Sequence, residues 1–142
     1  MRRDIAKKDL PWHMRYLGQP EVGDKNRATV VRSCVDVACS ANVTTFLTEM
    51  GFKLDYEYTS KGFIFKKGRM KVTVAKIFQS SAIDPQTGQF IDHHPVSNSY
   101  LVELSVVAPS GQDGLAEEVK AFADQLKPLV LLDKIDHRRV PV

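Results

Sequence analysis

Lys61, Lys66, Lys67, Arg69, Lys71 and Lys76 form the densest run of charge in the sequence, and no Asp or Glu lies among them. Phe63 and Phe65 are interleaved with these cations and Phe78 follows. Such a mixture can neutralise phosphates and stack bases. The aromatics also recur at strand period, which places them on one side of a sheet. On that reading they face a core, and the lysines keep a sheet edge soluble. The formal net charge of +3 is small for a dedicated nucleic-acid binder. The expectation is therefore a solvated hairpin, with a basic-hairpin nucleic-acid contact as the alternative.

Other chemistries find less support. His93 and His94 are adjacent, and neighbours on an extended strand point to opposite faces, so they are poorly placed to share a metal. Cys34 and Cys39 fall on opposite faces of one expected strand, and no C-x-x-C set accompanies them. Buried or idle thiols are the default. Ser105 and Ser110 lack a G-x-S-x-G frame. The glycines form no G-x-x-x-x-G-K phosphate cradle. Asp55 and Glu57 share an expected strand face but have no second acidic pair. No catalytic, cofactor-binding or metal-ligating residue is assigned, no cofactor is implied, and an enzyme is not expected.

The chain of 142 residues, with 20 Lys plus Arg, 17 Asp plus Glu and 43% hydrophobic positions, has the size of one domain. Its apolar content is too high, and its net charge too low, for a disordered chain. No apolar run approaches the roughly 18–20 residues of a membrane helix. The charged N-terminus has no apolar stretch behind it, so it does not read as a secretory signal. Two cysteines are no disulfide framework. A soluble intracellular domain is the broad expectation.

The elements that would position these residues follow from period and punctuation. Residues 1–10 are expected as a disordered tail, 11–139 as the domain and 140–142 as a second tail. Trp12, Met14, Tyr16 and Leu17 suit a strand start, and residues 18–26 a loop. Residues 28–38 read as a strand through Val30, Val31, Val35 and Val37. Val43, Phe46, Leu47 and Met50 form one helical stripe, with Ser40 as N-cap and Gly51 as stop. Phe52, Leu54, Tyr56 and Tyr58 then alternate with polar residues, the cleanest strand pattern in the chain. Ser60-Lys61-Gly62 is expected to turn, Phe63-Ile64-Phe65-Lys66 to form a short strand, and Lys67-Gly68 to turn again. Met70, Val72, Val74 and Phe78 share one face of the next strand with Lys76. Residues 80–98 read as a long excursion. Residues 99–108, apolar on both sides apart from Glu103, read as a central strand. A helix follows with Asp113 as N-cap and a stripe of Leu115, Val119, Phe122 and Leu126, halted by Pro128. Leu129-Val130-Leu131-Leu132 has no clear state, and His137-Arg138-Arg139 suits a solvated tail. Short turns between consecutive strands make them antiparallel. The fold class is α+β, an antiparallel β-barrel or strongly curved sheet with two flanking helices.

Several long strings carry a resemblance. Residues 11–27, PWHMRYLGQPEVGDKNR, open the series. Phe46-Leu47 with Glu49-Met50-Gly51-Phe52, Lys76-Ile77-Phe78 and residues 99–109, SYLVELSVVAP, follow in order. Phe122-Ala123, Gln125-Leu126-Lys127-Pro128-Leu129-Val130 and Lys134-Ile135-Asp136 complete it. Together they make the chain similar to the animal family of Mediator of RNA polymerase II transcription subunit 18. The resemblance covers residues 11–139. It implies an antiparallel β-barrel with flanking helices, akin to RNA triphosphatase tunnels but without known catalysis. It implies a nuclear coactivator subunit of the Mediator head module, bridging regulators and the RNA polymerase II initiation machinery. Its implied partners are Mediator subunit 20, a C-terminal helix of Mediator subunit 8 and other head-module subunits. No small-molecule substrate and no membrane are implied. Family members carry a longer segment before the Pro-Trp motif, and ten unrelated residues stand there in this chain. The expectation is an N-terminally shortened form with an unpaired sheet edge and incomplete barrel closure.

Overall fold

The structure, a computed structural model, describes residues 1–5, 7, 10–21, 27–80, 93–112 and 114–134. They divide into two compact units, Met1–Asp24 with Val30–Asp55, and Lys25–Thr29 with Tyr56–Val142.

In the first unit β1 (Trp12–Pro20) pairs antiparallel with β2 (Arg32–Cys39). Trp12, Met14 and Tyr16 lie opposite Cys39, Val37 and Val35, while His13, Arg15 and Leu17 lie opposite Ala38, Asp36 and Cys34. The register shifts between Leu17 and Pro20, after which Pro20 pairs with Arg32. Proline is tolerated at such an irregularity because it costs no ladder donor there. Gly18-Gln19-Pro20, expected to open a loop, thus prolongs the strand. Within the expected tail, Arg2 bridges to β1: its N–H donates to the His13 carbonyl at 2.9 Å, and the His13 N–H donates back at 2.8 Å.

Helix α1 (Val43–Glu49) follows. Asn42, not Ser40, holds its N-cap position, and the Ser40 hydroxyl instead donates to Asn42 Oδ1. Gly51, at φ +90°, follows the last turn as expected. Of the stripe expected to pack, Val43 is buried and Leu47 half-buried, while Phe46 and Met50 stay exposed.

Residues 52–57, which cross from the first unit into the second, are not strand, and Leu54 is 82% exposed. Alternation marks a segment fit for a sheet, but a strand also needs a neighbour for its backbone groups, and the described residues supply none here. Asp55 and Glu57 therefore do not share a strand face. β3 (Tyr58–Lys67) runs straight through the expected Ser60-Lys61-Gly62 turn and pairs along its whole length with β4 (Met70–Ser80). Gly62 serves close approach rather than turning: it faces Ala75, and a Cβ there would fall 2.0 Å from the Val74 carbonyl oxygen. The real turn is at Gly68, φ +57°.

β4 is the central strand. β6 (Leu101–Val106) pairs with it from Met70 to Ala75, and β5 (His93–Pro95) pairs with it from Phe78 to Ser80. β6, expected to be central, has no second neighbour among the described residues, and Leu101 is exposed accordingly. Residues 93–95 of the expected excursion are thus strand, while residues 81–92 lie outside the described residues. Helix α2 (Leu115–Gln125) starts at Gly114, φ +81°, with Glu117 and Glu118 in its first turn. Asp113 lies outside the described residues, as do residues 135–142 with the expected 137–139 and 140–142 tails. Leu115, Val119, Phe122 and Leu126 are half-buried, and the helix stops before Pro128. Leu129 and Leu131 are exposed without regular structure.

The architecture is antiparallel α+β with two helices. Among the described residues the two-stranded and four-stranded sheets are not closed into a barrel. Buried hydrophobics are Val43 in the first unit, and Met70 with Ala75 in the second.

Candidate functional site

The β3–β4 hairpin carries all six cations of the basic run, and register sorts them. Lys61 lies opposite Lys76, and Lys66 opposite Lys71. Lys61, Phe63, Phe65 and Lys67 share one face with Met70, Val72, Val74, Lys76 and Phe78. The strand period thus assigned the face correctly. The expectation that this face is a core is met only in part: Met70 is buried and Phe78 half-buried, but Phe63 is 69% and Phe65 57% exposed. Their rings lie side by side, with centroids 6.3 Å apart.

The end of the hairpin is not free. Arg69 Nη2 donates to both carboxylate oxygens of Glu118 in α2, at 2.8 and 2.9 Å, while its Nη1 donates to Gln112 Oε1. Lys67 donates to Gln125 Oε1 at 3.0 Å, and its ammonium sits 4.8 Å from the Phe122 ring centroid. Two members of the basic run are therefore structural clamps on α2. Serving two residues at once from separate nitrogens suits Arg rather than Lys, because the guanidinium presents several donors in a fixed plane. Arg69 and Glu118 stand far apart in the chain, and neither has a local sequence signal for the other. Lys76 lies 5.7 Å from the Tyr100 ring, a looser contact.

In the first unit Arg15 reaches across the ladder to Asp36, with Nε to Oδ1 and Nη2 to Oδ2 both at 2.6 Å. That hydrogen-bonded pairing holds the Asp36 carboxyl below its ordinary pKa, with nearby Arg2 and His13 adding to the effect. The Lys127 ammonium, 2.8 Å from Asp124, lowers the Asp124 pKa in the same way. Met14, Cys39, Val43, Phe46 and Leu47 line an open cleft of about 400 Å³ between the β1–β2 pair and α1. A smaller hollow of about 210 Å³ lies beside Trp12, whose ring carries the Arg3 guanidinium 4.6 Å from its centroid. Both cysteines are free and half-buried. Among the described residues no three His, Cys, Asp or Glu side chains gather as a metal site. His94 is exposed and stands opposite Gln79 in the sheet. Ser105 faces Lys71 across β4–β6.

What the described surface offers instead is apolar and basic area. Tyr16, Val35, Phe46 and Leu54 are exposed in the first unit, and Tyr58, Phe63, Ile64, Phe65 and Leu101 in the second. Adjacent exposed apolar side chains, such as Tyr16 opposite Val35 and Phe63 beside Phe65, are a feature of surfaces that bind other molecules.

Comparison with known proteins gives this surface a setting. The family model described as "Med18 protein" matches residues 2–140. Mediator of RNA polymerase II transcription subunit 18 from Aedes aegypti is 56% identical over 131 residues, covering 92% of this chain and 56% of that protein. The Danio rerio protein of the same name is 54% identical over 139 residues, covering 98% of this chain and 65% of that protein. The chain thus spans about three fifths of the length of such relatives. A chain in the structure of the Schizosaccharomyces pombe Mediator head module has the same fold, with a TM-score of 0.63 at 19% identity over 93% of this chain and 70% of that one. From its matched span and these identities, the chain belongs to the Med18 protein family.

Proposed function

We propose that the chain acts as a structural subunit of the Mediator head module, in the nucleus, by holding other subunits rather than by reacting. The observation that carries this reading is the family match over residues 2–140, supported by the shared fold with a head-module chain. The apolar surface on both units is consistent with it, since a component of a permanent assembly leaves for its partners what a monomer would cover. The partners we infer are Mediator subunit 20 and the C-terminal helix of Mediator subunit 8, with contacts through the assembled module to the RNA polymerase II machinery. Non-enzymatic action is part of the same proposal.

Co-expression tests it. The chain should co-purify with Mediator subunit 20 as a stable complex in size-exclusion chromatography, and subunit 8 should join. A monodisperse monomer that ignores both would end the proposal. A metal-dependent triphosphatase assay addresses catalysis separately, and zero turnover is the expected result.

A further inference from the structure

We propose that Phe63 and Phe65 form a stacking platform for single-stranded nucleic acid, flanked by Lys61 and Lys76 as phosphate contacts. The inference does not rest on the assembly role proposed above. Its first support is exposure. Two aromatic rings two residues apart on an outer strand lie on the same face, side by side at 6.3 Å, and both are more than half exposed. Sheet-surface RNA binders use the same device, aromatic side chains on sheet strands that each take one base. The local order Lys61-Gly62-Phe63-Ile64-Phe65 follows the basic, glycine, aromatic, small, aromatic order of such strands, with Ile64 in place of the small residue.

The second support is charge. Lys61 and Lys76 are directly opposite in the ladder, an arrangement that costs stability because like charges face one another. An anion between them would relieve that repulsion. No Asp or Glu occupies a position on this face of β3, β4 or β6 within their paired residues, and Glu103 lies on the other face opposite Thr73. Glu118, a carboxylate brought to the hairpin end by α2, is held by Arg69. Around Phe63 and Phe65 the surface is therefore apolar and positive at its margin. A polyanion with flat apolar faces fits it. A duplex hides those faces in its own stack, so the ligand is a single strand.

Fluorescence anisotropy with the full chain tests the proposal, using labelled oligouridylate and oligothymidylate of about 12 nucleotides. Both should bind, and a duplex of the same length should bind more weakly. Phe63→Ala and Phe65→Ala should each weaken binding by about 5- to 100-fold, while Phe63→Tyr and Phe65→Tyr should restore it. Lys61→Gln and Lys76→Gln should each lower the slope of log affinity against log salt by about 0.7. Circular dichroism of each variant checks that it retains the fold. Absence of binding to either oligonucleotide overturns the proposal. So does binding that is indifferent to both Phe→Ala changes, which would show general electrostatic attraction. Loss of a protein partner on Phe substitution, with no oligonucleotide bound by the parent chain, would assign the rings to a protein interface instead.

Discussion

Gly62 and Gly18 both sit where a side chain would collide, but with different neighbours. A Cβ on Gly62 would meet the Val74 carbonyl and the Ala75 backbone, which the ladder holds in place. On Gly18 it would meet the Ser33 hydroxyl at 2.2 Å, which can rotate away. Gly62→Ala should therefore cost about 1–3 kcal/mol in urea unfolding, and Gly18→Ala less than about 1 kcal/mol. Similar losses for the two would contradict this account. The Arg15–Asp36 pair adds a pH dependence. Its folded carboxyl has a lowered pKa, so the pair's contribution is complete above the unfolded carboxylate range and disappears as pH falls through the folded value. The chain should lose stability below about pH 4, and Asp36→Asn should flatten that part of the profile in thermal melts at graded pH. Neither residue could have been singled out from sequence. A glycine at a crowded ladder position and a glycine in a turn look alike until the register is known, which is why Gly62 suggested a turn.

At the level of elements, the hydrophobic stripes of α1 and α2 were legible, as were the antiparallel hairpin at Gly68 and the stop at Gly51. Helix stripes are local, so their spacing is written within a few turns of chain. What failed was pairing. Residues 52–57 alternate as well as any strand but have no described neighbour, and the apolar residues 101–106 took an outer place because β5 and β6 share one side of β4. Which strand lies in the centre depends on contacts distant in sequence, and period carries no information on that. The docking of α2 was equally hidden, since it relies on Arg69 with Glu118 and Lys67 with Phe122. Arg69→Lys removes the separate donors to Glu118 and Gln112 while keeping the charge. It should speed amide exchange throughout α2 and leave β1 and β2 unchanged; unaltered exchange in α2 would show that the apolar stripe alone holds the helix.

For the whole molecule, the family strings carried what period could not, membership of the Med18 protein family. Exposed Tyr, Phe, Ile and Leu side chains on both units make the isolated chain prone to associate. It should bind the dye ANS and run as a concentration-dependent mixture in size-exclusion chromatography, and a cognate subunit should suppress both. One further consequence comes from β4. Every described pairing in the second unit passes through this strand, while β3, β5 and β6 each hold on by one side. The sheet can therefore come apart from its margins but not from its middle, and β4 is the keystone whose backbone amides should be the last to trade their hydrogens for deuterium. A proline at Thr73 would cut into the arch where two ladders meet, and it should dissolve the unit as a single event, whereas a proline in β6 should leave a hairpin standing.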